Sequence, residues 1–321
     1  MSPTAIGLIL VAAVAHASWN LFSKQASVTG AVSFIWLVSV TATALYAPVI
    51  AIDVIVTRPH LSGLSWIFLA GTGVLQAAYF LFLQRGYRLG DLSLVYPIGR
   101  GTGALLAALA GIFLLGERPG PVGIAGIGCI VAGIIVIGIP GRAGSAPGRA
   151  ASAPGQAGSA PGRAGSAVPA SAAGLARPAL SPARATAFAL LTGTFIASYT
   201  LWDKYAVGTL RTPPLLQGFA AFPIMALVFA LPAAHAGDRT ARVWRDYRRQ
   251  VIGAAVLAPF AYILVLVALS FTAVAAVAPA REVSVLFGVL LGRRLLGEGN
   301  LARRVAAAAA IVAGIVAIAI G

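Results

Sequence analysis

Ala17-Ser18-Trp19-Asn20-Leu21-Phe22-Ser23-Lys24 is written a second time in this chain as Ala197-Ser198-Tyr199-Thr200-Leu201-Trp202-Asp203-Lys204. Four of the eight positions are identical, and two exchange one aromatic ring for another. The correspondence continues outward. Pro97, Arg100 and Leu114-Leu115-Gly116-Glu117 are answered by Pro279, Arg281 and Leu295-Leu296-Gly297-Glu298, with 17 residues from arginine to glutamate in both copies. One half of the chain has therefore been duplicated, and the fold depends on what kind of half it is.

Hydrophobic residues make up 59% of the 321 residues and charged residues 10%, against about 25% charged in soluble proteins. Apolar runs of about 20 residues recur from end to end, each long enough to cross a hydrocarbon core of about 30 Å as a helix. Ten are read, near residues 4–23, 31–55, 64–84, 92–115, 121–139, 185–205, 214–234, 251–270, 273–292 and 302–320. The runs are continuous and rich in Ala, Leu and Gly, whereas barrel strands alternate over about ten residues. The expected fold class is thus an all-α polytopic membrane protein. Ala15-His16-Ala17 resembles a signal-peptidase site, but no Lys or Arg precedes the apolar run and the segment has a counterpart in the sixth span. It is read as a retained first helix. Cys129, the lone cysteine, has no second ligand for a metal or disulfide and is read as a small buried packing residue.

The net charge of +15 is distributed by loop rather than along a nucleic-acid-binding face. With the N-terminus outside, the cytoplasmic segments hold Lys24, Arg85, Arg88, five arginines between 140 and 184, five between 237 and 250, and Arg293, Arg294, Arg303 and Arg304. The outer segments hold only Arg58, Arg118, Lys204 and Arg211. The positive-inside rule then places both termini outside and the linker in the cytoplasm of a multi-pass plasma-membrane protein.

Residues 140–184 are a low-complexity linker in which Pro140-Gly-Arg-Ala-Gly-Ser-Ala recurs with small changes from Pro147, Pro154 and Pro161. A helix-breaking Pro-Gly in every copy and no large apolar residue leave nothing to offset the entropy of ordering it. It reads as a flexible tether, or as a basic tether lying on anionic head groups. It divides the chain into repeats 1–139 and 185–321 of five spans each. Because five is odd, homologous units must sit in opposite orientations, the inverted-repeat pattern of secondary transporters. Two five-span repeats, each with Leu-Leu-Gly-Glu closing its fourth span before a Gly-rich fifth, resemble the EamA family of the drug/metabolite transporter superfamily. That resemblance implies a ten-helix carrier with a central cavity and substrates ranging from amino acids to drugs and phosphorylated metabolites. No Gly-x-x-x-x-Gly-Lys-[Ser/Thr] sequence is present, which agrees with transport driven by a gradient or by exchange, without a cofactor or metal.

Ionisable groups inside a span cost about 2.5 to 3.5 kcal/mol each at a helix centre, which singles out Arg100, Arg281 and Glu282. Seventeen residues separate each arginine from its glutamate, a rise of about 25 Å. With inverted repeats, Arg100 is expected in the cytoplasmic half and Arg281 in the external half, each at its own mouth, binding a carboxylate or phosphate with a bidentate fork. Snorkelling to an interface, or an internal ion pair, is the structural alternative. Glu282 is read as the deepest acid, either a proton carrier or a fixed partner of an arginine. Tyr96 stands four residues before Arg100 on the same face; Tyr79 and Tyr262 are approximate counterparts, as cavity-lining residues or interface anchors.

His16 and Asn20 form an i, i+4 pair matched by Ile196 and Thr200. The polar position survives duplication, for interhelical hydrogen bonding or substrate contact, whereas His16 does not and is a second candidate for proton coupling. Gly99 with Gly103 and Gly288 with Gly292 are read as close-packing pairs, the two glutamates of Leu-Leu-Gly-Glu as structural, and Lys24 and Lys204 as cations at helix ends.

The expectation is a carrier, not an enzyme, monomeric or at most a weak homodimer, for a small anionic or zwitterionic metabolite. It is expected to contact the lipid bilayer and no nucleic acid. The sign rests on two deep arginines against one acid. Multidrug cation efflux, a lipid-linked phosphate flippase and a non-transporting accessory subunit are the rivals; small drug-efflux carriers depend on a first-span glutamate, which this first span lacks.

Overall fold

The computed structural model describes residues 1–89, 92–138 and 182–284, together with residues 306, 309, 310, 313, 314, 316, 317 and 320. Ser2 starts the first helix, its Oγ accepting a hydrogen bond from the Ala5 amide at 3.2 Å. Pro3 follows in the first turn, where its missing N–H goes unneeded. The helix, α1 (Pro3–Thr57), runs as two spans, Pro3–Ser23 and Gly30–Thr57, on either side of a break at Gly30. A Cβ at Gly30 would lie 2.9 Å from Arg239 Cγ and Cδ, so the glycine admits the close approach of a later helix. Arg58, in the left-handed region at φ 44°, ends α1 by returning its amide to Val54 O at 2.9 Å.

The remaining described helices are α2 (Gly63–Leu89), α3 (Leu92–Leu114), α4 (Pro121–Gly138), α5 (Pro182–Gly208), α6 (Pro214–His235), α7 (Gly237–Phe271) and α8 (Val274–Arg281). Among the described residues six stretches are long and apolar enough to cross a membrane: the two arms of α1, and α2, α5, α6 and α7; α3 and α4 contribute shorter apolar runs. The protein is thus an all-helical, multi-pass membrane protein. Of the expected ninth span only the first turns are described, and of the tenth only scattered helical positions. The expected linker falls outside the described residues except at its end, where Pro182, Ala183 and Arg184 open α5 instead of belonging to the tether; Glu298, Gly288 and Gly292 fall outside them.

The segment expected as a loop at 237–250 is helical, joined to its span through a kink at Tyr247. It was hidden by its five arginines, yet its inner face is anchored: Val243 is fully buried beside Phe34 and Val251, and Thr240 Oγ1 lies 2.9 Å from Ser33 Oγ. The helices pack mainly across the two halves, α1 on α7 and α6, and α2 and α3 on α5. Tyr46 of α1 donates to Val256 O of α7 at 2.7 Å.

Small residues set the closest approaches. A Cβ at Gly103 would stand 2.6 Å from Ile196 Cγ2, one at Gly193 2.8 Å from Gly99 O, and one at Gly71 2.4 Å from Trp202 Cζ2. The close-packing reading of Gly99 and Gly103 is met against α5, in a setting where van der Waals contact rather than water exclusion drives helix association. Large apolar side chains such as Ile52, Phe113 and Leu227 face outward, as a lipid-facing surface requires. Cys129 corrects its expectation, because it is exposed on α4 rather than buried. A helix apolar on every side carries no polar stripe to tell its inner face from its lipid face.

Candidate functional site

The site forms where helices from both halves bring charge into an apolar interior. Arg100 on α3 and Arg281 on α8 are both buried, and Glu282, just beyond α8, is fully buried between them. Arg100 Nη1 donates to Glu282 Oε1 at 3.2 Å, and Arg281 Nε stands 3.6 Å from the same oxygen. The Arg100 guanidinium also abuts His16 Nε2, and Trp19 Nε1 donates to His16 Nδ1 at 3.2 Å. His16 is 15 residues from Met1 and 15 from Ala31, about 22 Å of helix in each direction. Those residues line cavities at opposite ends of the bundle. One, of about 460 Å³, is bounded by Met1, Glu117, Arg118, Phe271 and Ala276; the other, of about 140 Å³, by Ala31, Ile35, Phe80, Arg85 and Phe229. The ion cluster lies between them.

This corrects the expectation of one arginine at each mouth. α3 begins at Leu92, so Arg100 is already about two turns inside its helix and shares a carboxylate with Arg281 instead of standing apart from it. Distance from the glutamate is not distance to the opposite membrane face, because turns of helix lie beyond the arginine.

A second polar constellation lies beside the first. Asp203 on α5 is fully buried. Thr72 of α2 donates to its Oδ2 at 3.1 Å, Gln217 of α6 to its Oδ1 at 2.7 Å, and the Tyr262 hydroxyl of α7 also donates to Oδ2. Between the two groups stands Tyr199, four residues before Asp203 on the same face of α5. Its ring meets Tyr79 edge-on at 6.0 Å and Tyr262 edge-on at 6.0 Å, and Arg281 Cζ lies 5.8 Å from its centroid. Arg281 Nε and Nη2 are buried with no hydrogen-bond partner among the described residues.

Tyr79, Tyr262, Arg100, Arg281, Glu282 and His16 are thus brought together. Asn20 and Thr200 are not aimed at the centre: Asn20 Nδ2 donates to His16 O and Thr200 Oγ1 to Ile196 O, each at 2.7 Å. The polar position kept by duplication makes the same bond to its own helix in both halves, where interhelical bonding or substrate contact was expected. Tyr96 lies on α3, and its side chain is outside the described part.

Asp203, Thr72, Gln217 and Tyr199 were missed. Asp203 and Tyr199 stand inside the duplicated motif, but a sixth span ending at residue 205 puts Asp203 in its last turn, where an acid draws no notice. Helix α5 continues to Gly208. Glu282 is therefore not alone as a deep acid, and two buried carboxylates face two guanidiniums. Lys204 caps another helix rather than its own, its Nζ donating to Leu269 O at 2.9 Å and Thr272 O at 2.8 Å at the end of α7. Glu117 is structural, as read: its two oxygens accept from the amides of Val274 and Ala275 at 2.7 and 2.8 Å, closing the start of α8.

The model of the EamA-like transporter family matches this sequence twice, over residues 3–139 and 183–320. A multidrug transporter of Pseudomonas aeruginosa is 40% identical over 52 residues, which is 16% of this chain and 47% of that protein. The match thus spans about half the length of that relative. A protein of known crystal structure superposes with a TM-score of 0.66 at 17% identity, covering 100% of this chain and 98% of the other; that likeness speaks to the fold.

Proposed function

Because the chain belongs to the EamA-like transporter family, we propose that it is a gradient-driven or exchange carrier of a small anionic or zwitterionic metabolite, working by alternating access. In this reading it has ten helices in two inverted repeats joined by a tether, sits in the plasma membrane with both termini outside, and acts as a monomer or weak homodimer. One observation carries the substrate class. Arg281 is buried with two guanidinium nitrogens unpartnered among the described residues, and a carboxylate or phosphate would satisfy both with the parallel bonds that a guanidinium favours. Arg100 is engaged by Glu282, and so holds the counter-charge while Arg281 receives the substrate. The rings of Tyr79, Tyr199 and Tyr262 form the wall beside it.

A second reading, efflux of organic cations, draws support from the name of the Pseudomonas aeruginosa relative and from the three tyrosine faces, which attract cations. Thermal-shift measurements on the purified protein with amino acids, sugar phosphates, phosphonates, a lipid-linked phosphate and cationic dyes separate the readings. Stabilisation by an anionic or zwitterionic compound, lost in Arg281→Gln, is expected; a response to the dyes alone overturns the anion reading. A response to lipid-linked phosphate alone indicates a flippase, and no response to any compound an accessory subunit.

A further inference from the structure

We propose that Asp203 is a proton-binding site of this carrier, separate from the Arg100–Glu282–Arg281 cluster, loaded and unloaded as the helices around it move; this rests on the carrier reading above. The argument lies in what the two buried acids are bonded to. Glu282 is held by guanidinium nitrogens, which donate and cannot accept. A proton on Glu282 would find no acceptor among them and would strip two buried guanidiniums of their counter-charge. Asp203 is held by a threonine hydroxyl, a tyrosine hydroxyl and a glutamine amide, and every one of these groups can both donate and accept.

Both protonation states of Asp203 can thus keep their hydrogen bonds. In the charged state the three partners donate. When a proton from water forms an O–H on the carboxyl, that O–H donates to Thr72 Oγ1, to Tyr262 Oη or to the Gln217 amide oxygen. The amide oxygen is buried and without a donor among the described residues; turning the amide about its terminal bond would present it to Asp203 at the cost of the Nε2 bond to Phe68 O, so the two hydroxyls are the nearer acceptors.

The surroundings supply charge without quenching the acid. Tyr262 comes from α7 and Arg281 from α8, whose charge acts on Asp203 from the far side of Tyr199. On α5 itself stand Tyr199 and Lys204, the latter turned to the end of α7. Helices α2 and α6 face it with the neutral Thr72 and Gln217. The four helices that build the site come from both halves, so a sliding of one half against the other changes the bonds that decide between the two states.

Infrared difference spectra of the purified full chain, taken through a pH series without added substrate, read the C=O stretch of a protonated buried carboxyl. A band that grows as pH falls is expected, retained in Glu282→Gln, shifted in Tyr262→Phe and absent in Asp203→Asn. Isotope-labelled aspartate must move the band in the unmutated protein, which guards against a variant that fails to fold. Absence of a titrating band, its persistence in Asp203→Asn, or its insensitivity to labelled aspartate overturns the proposal. Since no substrate is used, this outcome is independent of the compound screen: a silent screen sinks the carrier reading and leaves the band standing.

Discussion

Glu282 is fully buried, and its charge rests on Arg100 Nη1 at 3.2 Å and on Arg281 Nε at 3.6 Å. Breaking a buried pair by removing one partner costs about 3–5 kcal/mol, because the other charge is left uncompensated. Arg100→Gln should therefore lower the melting temperature sharply in detergent. Arg281→Gln should cost less, since its Nε is the more distant partner of Glu282 and neither Nε nor Nη2 makes a hydrogen bond among the described residues. Equal losses in the two variants would show that the guanidiniums share Glu282 evenly. The arginines and Glu282 were legible because a charge inside an apolar run stands out. Asp203 was not, because it adjoins Lys204 and stands two residues before the expected end of its span at 205; only the extra turn to Gly208 puts it in the interior.

Helix α8 starts where Glu117 receives the amides of Val274 and Ala275, a cap supplied from the other half of the chain. Gly111 makes the space: a Cβ there would stand 2.5 Å from Glu117 Oε2 and 2.5 Å from Val274 Cγ1. Loss of a capping side chain costs about 0.5–2 kcal/mol, and Glu117→Ala should destabilise by that amount. Gly111→Val should do at least the same by pushing the carboxylate off the amides. The two act on one contact, so the double variant should fall short of the sum of the singles in thermal melts; strict additivity would mean that Gly111 serves something else. The Leu-Leu-Gly-Glu repeat marked Glu117 as structural, but its partner was illegible, because a cap from 157 residues away leaves no local spacing to read. The helical segment at 237–250 escaped for a related reason. Five arginines outweigh the one buried valine that seats it.

The two halves hold each other more than themselves: α1 lies on α7, and α2 and α3 on α5. By the duplication, the first arm of α1 corresponds to α5, its second arm to α6 and α2 to α7, so the α2–α5 contact recurs where Gly253 of α7 meets Phe22 of the first arm, and the α2–α6 contact where Val256 of α7 meets Tyr46 of the second. Sequence repetition could announce two equivalent halves and could not say that they interlock, because the match is between residues that are alike and not between residues that touch. Topology follows from the loop charges: a C-terminal alkaline phosphatase fusion should be active and a C-terminal fluorescent fusion dark, the reverse result placing the termini in the cytoplasm. Interlocking makes a harder test. Residues 1–139 and 185–321 produced as separate chains should each be degraded when expressed alone, since each exposes the face that carries half of the ion cluster and of the Asp203 site. Expressed together they should co-purify without the linker, and Arg100→Gln in one chain should weaken their association by leaving Glu282 of the other chain buried with a single distant partner. Stable accumulation of either half alone would mean that the interfaces within a repeat, not those between repeats, hold the bundle.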